Sequence, residues 1–498
     1  MTSHSPALRT LDMYIDGQWV KPASGQYFET VDPFTAQPWA MVARGGAEDA
    51  DRAVRAAHRA FKEGPWGKMH PSERGKIIHR LGTLIEEHAD LLAEIEVRDN
   101  GRLLAEMQHQ IRYIPKWYYY YAGLADKIEG VVHPCDKPAL SYSRPEPLGV
   151  CVAIVPWNAP LLLLSLKAAP ALAAGNTLVL KPAEHTSATA LKLMELVEAA
   201  GFPPGVVNVV TGFGKEVGEP LVSHTLTRHV GFTGSTATGA HLYSLAAKDV
   251  KRVSLELGGK SPNIVFDDAD LDNAVRGVVG GIFGATGQTC IAGSRLLVQR
   301  RIHDEFVEKL AAFTKTARVG DPRDVRTQVG PIANKMQFEK VLGYVDIARQ
   351  DGAELLLGGK RPDGDECARG FFVEPTIFTG VNNEMRIARE EVFGPILSTL
   401  IFDDADEAVA IANDSEFGLA AGVWTRDMKL AMRMSDRLEA GSVWVNTYRD
   451  ISYTTPFGGY KKSGIGRENG AEGIREYLQT KAVWLSTADE IANPFVIG

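Results

Sequence analysis

GVCVAIVPW (149–157) is a short apolar run closed by a proline and an aromatic residue, and the alternation of elements downstream of it decides the fold. A helical apolar pattern runs from Leu161 to Ala174, then come NTLVLKP (176–182), a second helical pattern from Ser187 to Ala200, VVNVVTG (206–212) and HVGFTG (229–234). Strands this short, rich in Val, Leu and Ile and separated by helices, predict a parallel sheet of βαβ units, because a parallel crossover needs a helix to return the chain. A second series of the same kind starts at SPNIVF (261–266), continues through a helix from Leu271 to Phe283, and recurs at RLLVQ (295–299), FVEPTIF (372–378), ILSTLIF (396–402) and GSVWVN (441–446). The chain is therefore read as α/β, with two such domains.

Upstream, residues 46–130 read as covering helices: Ile77, Ile78, Leu81, Leu84, Ile85, Leu91, Leu92 and Ile95 fall at helical spacing between Ser72 and Asp99. SYSRPEP (141–147) is polar, alternating and proline-containing, which suits an edge strand or a projecting arm that meets another subunit.

At 498 residues the chain exceeds the ~250–300 residues at which single cores stop growing, so two or three domains are expected. Its 62 acidic and 54 basic residues are interleaved and give a net charge of -8, with no basic stripe for a phosphate backbone, so nucleic acid is not an expected partner. The four cysteines, Cys135, Cys151, Cys290 and Cys367, form no CxxC and have no histidines at metal spacing, so no metal is expected and reduced cytosolic thiols fit best. Residues 1–10 lack the apolar core of a secretory signal, and the longest apolar run, Ala159 to Gly175, is broken by Lys167 and Pro170. A cytoplasmic protein without a membrane segment is expected.

Four segments carry chemistry-bearing residues. In GQTCIAGSR (287–295), Cys290 lies between Gly287 and Gly293 in a loop whose glycines allow a ligand to come close. Cys151 lies in an apolar strand and Cys135 in a polar turn, and Cys367, in the acidic loop RPDGDEC, is expected at the surface. In VSLELGGKSPNIVF (253–266), Glu256 interrupts an apolar strand pattern. A carboxylate there is costly unless paired or functional, and burial raises its pKa toward that of a general base. GGKS resembles the tail of a phosphate-binding loop, but Ser254 stands where that loop needs glycine.

In PWNAP (156–160), Asn158 is held between prolines at a strand end, where its amide suits a developing oxyanion. KPAE (181–184) and GFTGSTATG (231–239) each come after a strand, at the end where open α/β sheets bind ligands, although neither matches GxGxxG.

Taken in order, PWN, KPAE, GFTGST, LELGGKSP, GQTC, EEVFGP (390–395) and PFGGYKKSGIGRE (456–468) resemble the aldehyde dehydrogenase superfamily, from about Tyr14 to Val483. The resemblance implies a Rossmann-like cofactor domain (1–127 and 148–257), a second, catalytic α/β domain (258–462) and a small β oligomerisation arm with the C-terminal segment (128–147 and 475–498). It implies Cys290 as nucleophile, Glu256 as general base, and Asn158 with the Cys290 N–H as oxyanion hole. For the cofactor it implies Lys181 and Glu184 at the adenosine ribose, Ser235 and Gly234 at the pyrophosphate, Glu391 and Phe393 at the nicotinamide ribose, and Trp157 in the same cleft. A carboxylate at Glu184 favours NAD over NADP.

The matching tunnel positions are Tyr113, Trp117, Ala159, Leu162, Leu166, Thr289, Ile291, Ile451 and Phe457, with Arg449 and Tyr453 near the mouth. Small residues at Ala159 and Gly284 imply a roomy tunnel for a medium-sized or aromatic aldehyde. Arg449 is expected to be exposed and without substrate contact, the alternative being recognition of the carboxylate of a semialdehyde. A CoA-acylating relative is the other alternative, and Glu256 argues against it because acyl transfer to CoA needs no water-activating base. The expected partners are a small aldehyde and further copies of the chain, as a homodimer or a dimer of dimers.

Overall fold

The computed structural model describes residues 8–491 and 493–495. Two large sheets dominate it. The first has eight strands in the order Gly464–Ile465, Arg252–Glu256, Thr227–Thr233, Val150–Ile154, Thr177–Lys181, Val207–Val209, Met13–Ile15 and Gln18–Val20. The five strands between residues 150 and 256 are mutually parallel. Succession runs outward from Val150–Ile154 in both directions, so the sheet changes winding beside that strand, and ligands bind at the carboxyl ends of strands at such a point.

Both faces of this sheet are covered, which explains its continuous apolar strands. Val150, Val152 and Ile154 pack with Ala50, Ala53, Val54 and Ala57 of the helix Ala47–Lys62, and with Val230 and Leu255. The alternate residues Cys151, Ala153 and Val155 face Leu161, Leu164 and Leu172 of Pro160–Ala173, together with Ile78, Leu81 and Ile85. Successive strand residues thus enter two different cores. The helical run from Ser72 to Asp99 is two helices, Pro71–Glu87 and Ala89–Asn100. The break falls at His88, whose ring stands 2.8 Å from the Leu84 carbonyl and competes with helix continuation.

The second sheet has seven strands in the order Glu354–Leu357, Thr376–Thr379, Ile396–Phe402, Arg295–Gln299, Pro262–Val265, Ala420–Trp424 and Ser442–Val445. All are parallel except Glu354–Leu357.

A separate three-stranded sheet joins Val131–His133, Ala139–Pro147 and Leu478–Ser486. Here SYSRPEP differs from expectation: it lies in the central strand, paired along its whole length with Leu478–Ser486. The proline signal has a local cause, since Val131–His133 pairs only with Ser141–Ser143 and leaves Pro145 and Pro147 beyond it. No helix among the described residues is long and apolar enough to cross a membrane.

Candidate active site

The carboxyl ends of the parallel strands carry the sequence-selected residues in a row. Lys181 ends one strand, Asn158 comes after its neighbour, Gly234 and Ser235 come after the next, and Glu256 ends the fourth. The second sheet contributes the loops of Cys290 and of residues 390–395. The site is therefore built where the two sheets meet, from residues far apart in sequence.

Asn158 is buried, and its Nδ2 donates to the Gln288 carbonyl at 2.9 Å. That bond ties the end of a first-sheet strand to the loop of Cys290. The helix that begins at Pro160 is anchored as well, because the Leu161 N–H donates to Glu96 Oε1 at 2.7 Å.

Cys290 is half-buried. It comes after the turn Gly284–Gly287, in which Ala285, Thr286 and Gly287 hold φ of 57°, 54° and 70°. Left-handed backbone at a β-branched residue is strained and persists only where its surroundings fix it. Thr286 Oγ1 donates to the Gly330 carbonyl at 3.2 Å, and Gln288 Oε1 accepts the Ala333 N–H at 2.9 Å. The loop glycines serve packing against protein: a Cβ at Gly287 would lie 2.1 Å from the Gly394 carbonyl oxygen, and one at Gly293 3.0 Å from the Tyr448 ring. A Cβ at Gly259 would lie 2.3 Å from the Cys290 carbonyl, so Gly259 also holds this loop close. Burial pushes the Cys290 thiol up to about 12, and the negative charges of Glu391 and Glu256 add to the effect.

Glu256 is 4% exposed, and its Oε2 is buried with no hydrogen-bond partner among the described residues. Burial holds its carboxyl well above the ordinary range, and the neighbouring Glu468 adds to this, while Lys167 and Arg467 oppose. Lys167 and Glu468 are both buried and form an ion pair.

The cofactor candidates fall into two groups. Lys181 Nζ approaches Glu184 Oε2 at 3.4 Å, and burial lowers the pKa of this lysine. Burial pushes the Glu184 carboxyl up, and Lys181, the Glu184 backbone N–H and His185 together outweigh it, leaving the group below its ordinary value. Ser235 caps the helix Thr236–Ala247 by accepting the Thr238 N–H at 3.3 Å. Next to it, Thr233 Oγ1 is buried without a partner among the described residues and pairs in register with Glu256.

In the second group, Glu391 Oε1 accepts the Gly259 N–H at 2.9 Å, and burial raises the Glu391 pKa. Phe393 holds φ +60° and is fixed by Gln337, whose Nε2 donates to its carbonyl at 2.9 Å. Its ring meets Trp157 edge-on, with centroids 5.2 Å apart and planes at 87°.

Most of the residues expected to line a tunnel fall in two adjoining apolar clusters. Ile291 and Phe457 cluster with Cys290, Tyr448 and Ile451. Ile451 also packs on the first core beside Tyr113, Leu162 and Tyr453. Ala159 and Leu166 are buried and Thr289 is partly exposed. Trp117 is a core residue, 1% exposed, whose Nε1 donates to Asn469 Oδ1 at 2.7 Å.

Two expectations are corrected. Arg449 is only partly exposed, and its Nη1 donates to the Gly280 carbonyl at 3.1 Å. Cys367 is buried, because the turn at Asp365–Cys367 folds onto residues 318–321, where Glu366 accepts the Asp321 N–H at 3.0 Å. Among the described residues no group of three His, Cys, Asp or Glu is placed to hold a metal.

Sequence reasoning did not single out Lys167, Glu468, Thr233, Gln337 or Gly259 for the site. The one signal was Lys167, a charge interrupting an otherwise apolar helix pattern.

The chain is similar to known proteins in sequence and in fold. The sequence model of the aldehyde dehydrogenase family matches residues 19–483. The chain is 44% identical over 481 residues to the putative aldehyde dehydrogenase DhaS of Bacillus subtilis, covering 96% of each chain. It is 45% identical to the mitochondrial aldehyde dehydrogenase of Homo sapiens, covering 97% of this chain and 93% of the human one. Among solved structures it is similar to betaine aldehyde dehydrogenase of Staphylococcus aureus in complex with NAD+, with a TM-score of 0.96 at 41% identity, covering 98% of this chain and 97% of that one. The chain belongs to the aldehyde dehydrogenase family.

Proposed function

We propose that the protein oxidises an aldehyde to the carboxylic acid with NAD, through a thioester on Cys290. The observation that carries this reading is the convergence on one sheet junction of a half-buried thiol, an amide donor tied to its loop and a buried, unpartnered carboxyl.

The residues present fit a dinucleotide. Lys181 and Glu184 offer a charged pair to ribose hydroxyls, and Ser235 with the orphaned Thr233 hydroxyl stands at the start of a helix, where phosphate is favoured. Glu391 and Phe393 approach from the other side, across from Trp157. When bound, NAD supplies the acceptor for the hydride that leaves the tetrahedral adduct.

The chain's own residues do the rest. The Cys290 sulfur, after giving its proton to Glu256 directly or through water, adds to the aldehyde carbon. The resulting alkoxide is met by the Asn158 amide and the Cys290 N–H, an interaction worth ~2.7–4 kcal/mol per donor in comparable sites. Glu256, once it has passed the thiol proton on to solvent, removes a proton from the water that hydrolyses the thioester and returns it to the departing Cys290 sulfur. Its raised pKa brings it nearer the working pH, where a general base is most effective. In this reading residues 1–127 and 148–257 form the cofactor domain and 258–462 the catalytic domain.

The three-stranded sheet exposes Val131, Val132, Trp484 and Leu485. Val131 and Trp484 lie on one face of this sheet and Val132 and Leu485 on the other, and we infer that a second copy of the chain covers apolar surface here, giving a dimer or a dimer of dimers.

The test is NADH formation from aldehyde and NAD without CoA, with free acid as product. Acyl-CoA formed only when CoA is added contradicts the hydrolytic role of Glu256.

A further inference from the structure

Arg449 carries a charge that the fold does not match. Its backbone holds φ +70°, unusual for a side chain of this size, in the segment between the strand Ser442–Val445 and Phe457. The guanidinium reaches the helix end that leads into the Cys290 loop, where Nη1 donates to the Gly280 carbonyl at 3.1 Å. A Cβ at Gly284 would lie 2.2 Å from that same nitrogen, so the absence of a side chain at Gly284 is what leaves room for the guanidinium.

No carboxylate among the described residues forms an ion pair with it. Glu106, whose charge acts on it, is engaged by Arg102 at 3.1 Å, and its Oε1 also accepts the Ala285 N–H at 3.2 Å. Two guanidinium groups against one carboxylate leave this spot with a net positive charge. Burial, and after it repulsion from Arg102, lowers the Arg449 pKa, yet an arginine stays charged. The guanidinium is partly exposed, so an anion arriving from outside the chain can reach it. The nearby wall carries an orphaned polar atom of its own, the buried Thr289 hydroxyl beside Cys290.

We propose that Arg449 is a specificity-determining residue that binds a carboxylate at the end of the substrate remote from its aldehyde, so that the preferred substrates are aldehyde acids. This rests on the assignment of Cys290 as the nucleophile of an aldehyde oxidation. The planar fork of a guanidinium matches a carboxylate in two parallel hydrogen bonds, and a monoanion balances the single uncompensated positive charge.

The experiment measures kcat/KM by NADH formation for matched pairs: para-carboxybenzaldehyde against benzaldehyde, succinic semialdehyde against butanal, and adipic semialdehyde against hexanal. Wild type is expected to favour the carboxylate in at least one pair by about tenfold or more, the scale of a charge-assisted hydrogen bond. Arg449→Gln should bring that ratio near one, and Arg449→Lys should leave an intermediate ratio. Gly284→Ala, whose Cβ occupies the place of the guanidinium, should lower it too. Because each ratio is internal to one preparation, partial misfolding cancels. A wild-type ratio at or below one in every pair, or an unchanged ratio in Arg449→Gln, overturns the proposal while leaving aldehyde oxidation standing. Absence of NADH from every aldehyde overturns both.

Discussion

The Asn158 amide donates to the Gln288 carbonyl at 2.9 Å, two residues before Cys290 and across the junction of the two large sheets. The donor that would face the oxyanion is thus held by the backbone of the loop that carries the nucleophile. Such positioning removes reorganisation from the reacting step.

Asn158→Ala removes one oxyanion donor and one tie to the loop. The expected outcome is a fall in kcat of about 10²–10³-fold with KM changed far less, measured by steady-state NADH formation. A rise in KM alone would place Asn158 in ground-state binding instead.

Cys290→Ser should abolish aldehyde oxidation and leave NAD binding intact. Quenching of protein fluorescence on NAD titration checks the second half. Near-normal turnover would move the nucleophile elsewhere.

The thiol pKa gives a pH prediction. Burial first, then Glu391 and Glu256, raise it to about 12, so at neutral pH the thiol is protonated and little of the reactive thiolate is present. Alkylation of Cys290 by iodoacetamide should therefore rise with pH and reach half its maximum above the ~8.5 of a free thiol. Glu256→Gln removes one of the negative neighbours, so its profile should shift to lower pH. A shift to higher pH contradicts the assigned coupling.

Gly259→Ala would set a Cβ 2.3 Å from the Cys290 carbonyl oxygen. The backbone at 259 needs no left-handed conformation, so the burden falls on the loop. We expect the chain to fold while kcat/KM drops by about 10²-fold, because a displacement of about 1 Å is enough for such a loss. Thermal unfolding and kinetics measured on the same preparation separate the two effects.

Glu184 bears on cofactor choice. A carboxylate held ionised beside Lys181 accepts hydrogen bonds from ribose hydroxyls and repels a 2′-phosphate. NAD should exceed NADP in kcat/KM, and Glu184→Gln should narrow the difference. A wild-type preference for NADP rules this role out.

Much of this arrangement is legible in the sequence, for physical reasons. Period-two alternation in VCVAIV sends successive residues into opposite cores, and strand-to-helix punctuation marks the carboxyl ends where Asn158, Lys181, Ser235 and Glu256 stand. Other features depend on partners distant in the chain. Lys167 reads as a mere interruption until Glu468, 301 residues away, is seen beside it. Gly287 reads as room for a ligand, whereas it, like Gly259, makes room for a protein carbonyl group. The setting of Arg449 depends on Gly280 and Gly284, and local sequence carries no trace of that contact. Cys367 comes after acidic residues that signal solvent, yet its turn is drawn inward by the bond from the Asp321 N–H to Glu366.

The central claim is the thioester on Cys290, and Glu256→Gln is the variant in which it should accumulate. After brief turnover with NAD and an oxidisable aldehyde, acid quench and intact-mass analysis should show one added acyl group per chain, mapped to the peptide bearing Cys290. Wild-type rates of NADH formation with no adduct on that peptide would contradict the account.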